Sequence, residues 1–353
     1  MSGMLSFAKC APILAATLFT SFAPFTPFTI IQEAPKPSPP PVPPPLHLAL
    51  TSLTPEATIA IGGDRRITTG GDAVWVLSRT AGTLTRVDPK TNTLGTPITV
   101  GNEPCLSVLS AFGSLWTPQC GAKALTRTPV PPTASADKTD KTEKPEPVKP
   151  PVTISVGIRS AGPVVSGASS IWMITDPSGA LSRIDPDTNA VVAEITVAAG
   201  SNAMAFGDNS VWITSASKDT LTRVNGDTNV VLETIKIGRG PVAVAAGGGS
   251  VWTLNGGDGT VSRVDPKTNK VTQTIKTGVT GTDGALVVGE GSVWLSAPGF
   301  PLTRIDPVTN TLAQQFAGPG GGALAIGHKS LWIAATPTSV WRVDPRRVEA
   351  TRK

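Results

Sequence analysis

Seven tryptophans divide most of the chain into units of similar length. They are spaced 41, 56, 40, 40, 42 and 38 residues apart, and an arginine stands ten or eleven residues after each one. A period near forty residues, built from short strand-like runs, is typical of β-propeller blades. The repeat therefore predicts an all-β fold, a seven-bladed β-propeller. The repeated tryptophans are Trp75, Trp116, Trp172, Trp212, Trp252, Trp294 and Trp332.

Each unit can be divided into four short strands. In the fifth unit they cover residues 242–246, 251–254, 260–264 and 271–275, and glycine-rich or Asp-Pro-Lys-Thr-Asn turns connect them. The composition agrees with many turns, because the 353 residues include 36 glycines and 34 prolines. Charged residues make up 16% of the chain, compared with about 25% in a typical soluble domain. This composition excludes coiled coils and helical solenoids, which are poor in glycine.

A turn motif and one long insertion mark the third-to-fourth-strand connections. Five units contain the sequence D/N-x-x-T-N, in which the first residue can accept backbone N–H bonds and the last tolerates a left-handed conformation. We interpret this motif as a hairpin turn. The second unit lacks it and has 27 residues between Arg127 and Ile154, where other units have 12. Residues 129–151 are rich in Pro, Lys, Thr and Glu, so we expect a disordered insertion in blade 2.

The seventh unit ends before it can form a fourth strand. The sequence EATIAIG at 56–62 resembles the fourth-strand run LETIKIG at 232–238. Pairing this N-terminal segment with the C-terminal strands would close the ring and leave no free sheet edge at the seam. We therefore expect the N-terminal strand to close the last blade of a propeller that spans residues 56–353.

The region before the propeller has two parts of different composition. Residues 1–32 carry one basic residue, Lys9, followed by an uncharged stretch that Pro24 and Pro27 interrupt. This pattern is typical of a signal peptide, and an uncleaved signal anchor is the alternative. Residues 33–55 begin with EAPKPSPPPVPPP, which predicts an extended proline-rich linker because proline lacks an amide donor. The sequence thus predicts an exported protein that is periplasmic, secreted or at the cell surface.

The repeated tryptophans and arginines fit a structural role. We expect each tryptophan to be buried where neighbouring blades stack. Each arginine is expected to lie over an indole face or to pair with the turn aspartate two positions later. Seven equivalent ligand sites would be an unusual arrangement, so packing explains these residues better than chemistry does.

Two cysteines flank one predicted hairpin. The turn AFGS lies midway between Cys105 and Cys120. Directly opposite positions on antiparallel strands come within disulfide distance, and an oxidising compartment would let the bond persist. We predict a disulfide between Cys105 and Cys120, with two free thiols or a metal-binding pair as the alternatives.

The repeat also resembles known propeller families. The segment GSVWTLNGGDGTVSRVDPKTNKVTQTIKTG at 249–278 is similar to YVTN-repeat propellers and to streptogramin-lyase-like seven-bladed propellers, with Trp in place of the usual Tyr. The resemblance covers residues 56–345. It implies the fold and, for the lyase, a histidine acid/base and a magnesium ion on one face of the ring. Neither His47 in the linker nor His328 in a hairpin at the opposite end matches that pattern.

A ligand is expected at the loops that enter each first strand or join the second strand to the third, because these loops gather around one mouth of the central channel. The loops carry basic and acidic residues in similar numbers, unlike the one-signed channel of a nucleic-acid binder. Solvated loop charges without a ligand are the alternative. The ligand-rim candidates are Arg65, Arg66, Arg79, Glu103, Arg159, Lys218, Arg239 and Asp283.

Two functions are compatible with these observations. The first is an exported, non-enzymatic module that binds a protein, peptide or glycan at the rim, with no cofactor, metal or catalytic residue. The alternative is a metal-dependent lyase or lactone hydrolase, which needs convergent carboxylate, Asn or His groups at the channel mouth. A net charge of +5 gives no reason to expect nucleic-acid binding. Membrane contact is expected only through an N-terminal anchor.

Overall fold

The structure is a computed structural model, and it describes residues 45–101, 103–105, 107–130, 150–155 and 162–352. The predicted signal peptide or anchor, residues 33–44 of the predicted linker and most of the predicted insertion lie outside these ranges. Strands make up most of the described chain, with one 3-10 helix, Leu50–Ser52, and one α-helix, α1, Pro345–Ala350. None of the described helices has the length and apolar character needed to cross a membrane.

The strands form seven sheets, which are the blades of a propeller. In blades 1 to 6 consecutive strands run antiparallel from the innermost to the outermost position. Two strands precede blade 1 in the chain, β1 Leu46–Ala49 and β2 Ala57–Ala60. Blades 1 to 3 contain β3 Arg65–Gly70, β4 Ala73–Ser78, β5 Thr83–Val87 and β6 Ile98–Thr99; β7 Leu109–Ala111, β8 Ser114–Gln119, β9 Ala124–Pro129 and β10 Val152–Ile154; and β11 Val164–Gly167, β12 Ser170–Asp176, β13 Ala180–Ile184 and β14 Val191–Thr196. Blades 4 to 7 contain β15 Ser201–Gly207, β16 Ser210–Ser215, β17 Thr220–Asn225 and β18 Val231–Lys236; β19 Pro241–Gly247, β20 Ser250–Asn255, β21 Thr260–Asp265 and β22 Lys270–Lys276; β23 Ala285–Gly289, β24 Ser292–Ala297, β25 Phe300–Asp306 and β26 Thr311–Ala317; and β27 Leu324–Gly327, β28 Ser330–Thr336 and β29 Ser339–Val343.

The innermost strands of neighbouring blades contact one another around the whole ring. Between the last blade and the first, the Thr69 hydroxyl donates a 2.8 Å hydrogen bond to the Ile326 carbonyl. The blades approach closely, since a Cβ atom at Gly167 of blade 3 would lie 2.1 Å from the Phe206 ring of blade 4. The predicted all-β, seven-bladed propeller is confirmed.

The outermost strand of blade 7 comes from the N-terminal part of the described chain. Strand β2 pairs antiparallel with β29, so that Ala57 lies opposite Arg342 and Ala60 opposite Ser339. The Arg342 guanidinium also pairs with the Glu56 carboxylate, at 3.1 Å. Both ends of the described chain therefore contribute strands to one sheet.

The predicted linker is corrected at its C-terminal end. Strand β1, within the expected linker 33–55, pairs in parallel with β26 and becomes a fifth, outer strand of blade 6. Leu50 and Leu53 are then buried beside Val348 of α1. The apolar residues of the sequence LHLALTSL explain the difference, because an extended linker would leave them exposed to water. Within the described residues the folded body therefore includes Leu46, ten residues before Glu56.

All seven repeated tryptophans are at most 2% exposed, and each lies on the second strand of its blade. In blade 4 the Trp212 indole N–H donates to the Gly207 carbonyl at the end of the innermost strand, at 3.0 Å. The same bond, to the residue five positions earlier, occurs in blades 2, 3, 6 and 7. The repeated arginine covers the indole, with its Cζ atom 4.9 Å from the Trp212 ring centroid.

Five of these arginines also join their blade to the next one. The Arg223 guanidinium donates to the Ser210 hydroxyl of its own blade, at 2.9 Å. It then donates to the Pro266 carbonyl and, at 3.0 Å, to the Asn269 side chain in the turn of blade 5. We call this contact between an arginine and the turn asparagine of the following blade the interblade latch. The remaining latches are Arg127 with Asn189, Arg183 with Asn229, Arg263 with Asn310 and Arg342 with Asn92.

Of the two roles predicted for the arginine, the position over the indole is therefore the general one, and pairing with the aspartate two positions later is not. In the described part of the chain it occurs for Arg86 and Asp88, at 3.6 Å. Arg304 of blade 6 has no turn motif to bind in blade 7. It pairs instead with Glu349 of α1, at 2.9 Å. The helix thus takes the place of the missing turn.

Candidate functional site

Strand order separates the connections into two sets on opposite faces of the ring. The loops that enter each innermost strand, and those between second and third strands, lie on one face, which we call the loop face. The tight hairpins and the D/N-x-x-T-N turns lie on the other, which we call the turn face. The ligand-rim candidates that the structure describes belong to the loop face, since they lie in these loops or at the first residues of an innermost strand.

A cleft on the loop face lies where blades 1 and 2 meet. Its inner part, about 420 Å³, is lined by the charged residues Asp64, Arg79 and Glu103. A second part, about 510 Å³, extends outward past Gly101 and Glu103 between the two blades. We call the two parts together the blade 1–2 cleft. Opposite charges on its rim and backbone groups on its floor suit a polar ligand.

Two glycines form the floor of this cleft. A Cβ atom at Gly82 would lie 2.4 Å from the Gly101 carbonyl oxygen, and one at Gly101 would lie 2.8 Å from the Gln119 side-chain oxygen. Any other residue at either position would collide with these atoms, so glycine allows the close packing beneath the cleft. Gln119 is 3% exposed and joins the blades by donating to the Val100 carbonyl, at 2.8 Å. Sequence reasoning did not identify these three residues, although Gly82 and Gly101 stand next to predicted turns.

A disulfide between Cys105 and Cys120 holds the loop that carries Glu103, as predicted, with a Cα–Cα distance of 5.0 Å. The Cys120 amide also donates to the Glu103 carbonyl, at 3.2 Å. The pairing is not directly opposite, because the register shifts outside β7 and the Cys105 amide donates to the Pro118 carbonyl. The disulfide therefore fixes one wall of the blade 1–2 cleft.

Two other rim candidates pair with each other. Arg66 at the start of blade 1 and Asp283 in the loop that enters blade 6 form a salt bridge of 2.6 Å. Blade 7 lies between these two blades in the ring, so the bridge crosses its loop-face end. Both side chains are partly exposed, at 23% and 43%. They are partners of each other rather than members of the blade 1–2 cleft.

Arg65 has a structural position. Its guanidinium is buried and donates to the Ile61 carbonyl, just after β2, and to the Thr336 carbonyl at the end of β28, so it joins blade 1 to blade 7. Burial lowers the pKa of Arg65 from its usual value, because desolvation disfavours the charged form. A guanidinium already bonded to two carbonyls is poorly placed to meet a ligand at the rim.

The remaining candidates are not brought together by the fold. Lys218 and Arg239 are exposed in the loops of blades 4 and 5. The Lys218 carbonyl accepts from Lys236, and the Arg239 amide donates to Asp258, at 2.7 Å in both cases. Arg159 lies outside the described residues. The charges that share one cleft are therefore Asp64, Arg79 and Glu103.

The described residues do not fit the metal and histidine arrangement that the resemblance implies. Within them, no group of three or more His, Cys, Asp or Glu side chains is placed to hold a metal ion. His47 lies in β1 on the outer edge of blade 6 and contacts Gln315, at 3.1 Å. His328 lies in the turn-face hairpin of blade 7, within 3.4 Å of the Ala73 carbonyl. Neither histidine is at the channel mouth on the loop face.

Comparisons with known proteins agree on the fold. No protein-family model matches the chain, and no curated protein matches it. A solved streptogramin B lyase superposes with a TM-score of 0.64 at 14% identity, over 81% of this chain and 96% of that one. A selenomethionine-substituted virginiamycin B lyase from Staphylococcus aureus superposes with a TM-score of 0.65 at 15% identity, over 81% of this chain and 97% of that one. At this identity the likeness establishes the shared propeller fold alone.

Proposed function

We propose that the chain is an exported, non-enzymatic β-propeller that binds a protein, peptide or glycan in the blade 1–2 cleft. One observation carries the proposal. Asp64, Arg79 and Glu103, from three different loops, line one cleft with Gly82 and Gly101 at its floor. Charged and backbone groups that converge on a concave surface are the features by which propeller loops hold polar ligands.

The cleft has two regions that suit different parts of a ligand. Its inner region carries the three charged side chains. Its outer region passes Val100, Ala122 and Pro151, which offer apolar contact. A peptide or glycan with a charged or hydroxyl-rich end and a less polar body fits this arrangement.

Export is supported by the disulfide and by the N-terminal sequence. Disulfides persist in the periplasm and outside the cell, whereas cytosolic thiols are kept reduced. The Cys105–Cys120 bond fixes one wall of the proposed binding cleft, so the shape of this cleft depends on an oxidising compartment.

Binding of the wild-type protein to peptide and glycan arrays tests this proposal. We expect specific array hits whose affinity falls at least about tenfold in the charge reversals Arg79→Glu and Glu103→Arg, since tenfold corresponds to about 1.4 kcal/mol. Lys90→Glu is a matched control, because Lys90 is exposed in a turn of blade 1 on the opposite face. Array binding that neither cleft substitution changes would contradict a ligand site in the cleft.

The alternative is a metal-dependent lyase or lactone hydrolase, and the likeness to the two lyase structures favours it. Incubation of the purified protein with a streptogramin B antibiotic, with Mg²⁺ or with a chelator, distinguishes the two functions. Unchanged antibiotic in both samples is expected for a binding module. Turnover that requires Mg²⁺ would show an enzyme and contradict the non-enzymatic proposal.

A further inference from the structure

The outermost strands of the blades differ in how their free backbone edges are protected. An unpaired edge strand can accept another strand, and proteins prevent this with short strands, lysines or a covering segment. Blade 6 is covered by β1, and the outer strand of blade 1, Ile98–Thr99, is only two residues long. The outer strand of blade 5 begins and ends with lysine, at Lys270 and Lys276. Each of these blades has a recognisable protection.

The outer strand of blade 4 lacks this protection at the end where it begins. Strand β18 is six residues long, and in the described part of the chain no strand pairs with its outer side. Three consecutive apolar residues at this end are exposed: Val230 at 53%, Val231 at 38% and Leu232 at 44%. The position of Val230 corresponds to Lys270 in blade 5, so an apolar residue stands where the neighbouring blade has a charge.

Strand β1 shows what an added strand does to a blade edge in this fold. It pairs with β26 over four residues in parallel, from Leu46 opposite Gln314 to Ala49 opposite Ala317. With β1 in place, the residues from Leu312 to Phe316 are buried, whereas in the corresponding part of blade 4 the four residues from Val231 to Thr234 are exposed and Ile235 is buried. The side chains of β1 alternate between half-buried Leu46 and Leu48 and exposed neighbours. A short alternating segment is therefore sufficient to cover an edge.

The charge on β18 indicates which residues an added strand would carry. The Glu233 carboxylate is exposed, and among the residues that the structure describes it accepts from the adjacent Thr234 amide alone, at 3.1 Å. No ion pair to it occurs among the described residues. Lys236 is already engaged, since its amino group donates to the Lys218 carbonyl, at 2.7 Å, and lies 3.8 Å from Asp219. The free charge in the middle of the edge is thus negative and complements a lysine or arginine on the incoming strand.

We propose that β18 is a docking site at which an extended segment of a partner protein, with alternating apolar and basic residues, adds as a further strand to blade 4. Backbone bonds to β18 supply the affinity, and contacts with Val231, Leu232 and Glu233 supply the preference. This surface lies on the circumference of the ring, so it is independent of the ligand site proposed in the blade 1–2 cleft.

A synthetic peptide of alternating valine and lysine is the probe. The control peptide has the same sequence with alternate amides N-methylated, which preserves charge and side chains but removes the donors that strand addition needs. The protein itself has a net charge of +5, so overall electrostatics do not favour either cationic peptide. Affinity is measured by titration, and backbone amide exchange in residues 231–236 is measured by mass spectrometry.

We expect the unmodified peptide to bind at least about tenfold more tightly than the N-methylated one and to slow exchange in β18, because edge amides become hydrogen-bonded. Leu232→Lys and Glu233→Gln should weaken binding about fivefold or more. Val308→Lys should not, because Val308 is 86% exposed in a turn of blade 6. Equal binding of both peptides, or equal binding by the Leu232→Lys and Val308→Lys variants, would overturn the proposal.

Self-association is a separate outcome of the same experiment. We expect sedimentation of the wild-type protein without peptide to show a monomer. The result to look for is a dimer that is present in the wild type and lost in the Leu232→Lys variant. Such a dimer would mean that a second copy occupies the edge, and it would overturn the assignment to a partner segment.

Discussion

The guanidinium of Arg183 in blade 3 donates a 3.0 Å hydrogen bond to the side-chain oxygen of Asn229 in blade 4. Asn229 is the last residue of the turn NGDTN and has a left-handed φ of 61°. The same arginine lies over Trp172, with its Cζ atom 5.1 Å from the ring centroid. The repeated arginine thus packs on the tryptophan of its own blade and bonds to the next blade. The turn motif of that next blade supplies the hydrogen-bond acceptor.

Asn229→Gly should destabilise the protein by about 1.5–3 kcal/mol, because it removes a hydrogen bond to a charged group while glycine keeps the left-handed backbone. Denaturant unfolding measures this loss. The matched control is Asn225→Asp in the same turn, which retains the acceptor for the Asp227 and Thr228 amides. If Asn229→Gly unfolds at the wild-type midpoint, the latch contributes nothing to stability.

Trp212→Phe should cost about 1 kcal/mol more than Trp252→Phe. Both indoles are fully buried on the second strand of their blades, so the lost packing is similar. The Trp212 N–H donates to the Gly207 carbonyl, whereas the Trp252 N–H has no partner among the described residues. Removing a satisfied hydrogen bond costs about 1 kcal/mol, and removing an unsatisfied donor relieves a desolvation penalty. Equal losses in chemical denaturation would contradict this reasoning.

Replacing Ser169 by glycine should raise the free energy of unfolding by about 1 kcal/mol, since a non-glycine residue with a left-handed backbone carries a cost of this size. Ser169 has a φ of 53° in the hairpin of blade 3, and Gly249 has a φ of 70° at the same place in blade 5. The reverse change, Gly249→Ser, should lower stability by a similar amount, because nothing lies within 4 Å of an added Cβ atom and only backbone strain remains. Thermal melts that move in the same direction for both variants would count against the prediction.

Removing the disulfide with the double change Cys105→Ala and Cys120→Ala should cost about 3 kcal/mol, the value expected for a loop of 15 residues. Exchange at Glu103 should increase in the same variant, because the bond holds one wall of the cleft. Denaturant unfolding and amide exchange test both effects. Peptide mapping of the unreduced protein should recover the two cysteines in one linked fragment, and separate alkylated fragments would show that the bond is absent.

We expect the protein to lose stability in acid because the turn aspartates become protonated. The Lys267 amide and then the Thr268 hydroxyl hold the pKa of Asp265 below its usual value of 3.8, and backbone amides do the same for Asp88 and Asp185. A carboxylate with a lower pKa in the folded state stabilises the protein above the unfolded pKa, near pH 4, and this contribution is lost as the pH falls through the folded pKa. The Asp88→Asn, Asp185→Asn and Asp265→Asn triple variant should therefore lose less stability below about pH 4 than the wild type.

The reverse substitution provides the control for this pH dependence. Blade 4 already has Asn225 at the aspartate position, and its oxygen accepts the Asp227 and Thr228 amides, each at 2.9 Å. Asn225→Asp should add a titrating group and steepen the acid loss. Parallel acid profiles for the wild type, the triple variant and Asn225→Asp would mean that these carboxylates do not control acid stability.

Much of the propeller can be predicted from the sequence because its determinants are local and repeated. The tryptophan period, the glycine-rich hairpins and the D/N-x-x-T-N turns each act within a few residues, so they can be recognised without coordinates. The Cys105–Cys120 pair is predictable for the same reason, since both residues belong to one hairpin. Repetition then fixes the number of blades.

Contacts between distant segments could not be predicted in this way. The latch from Arg183 to Asn229 links residues 46 positions apart, and the Arg66–Asp283 bridge links residues 217 positions apart. Strand β1 on blade 6, the cleft floor at Gly82 and Gly101, and the exposed edge of β18 also depend on which blades become neighbours. Hairpins and turns follow from short-range backbone preferences, so the sequence alone determined the blade and its number of repeats. Ring closure brings distant side chains together, so only the tertiary structure decided which charges share a cleft and which edges remain open.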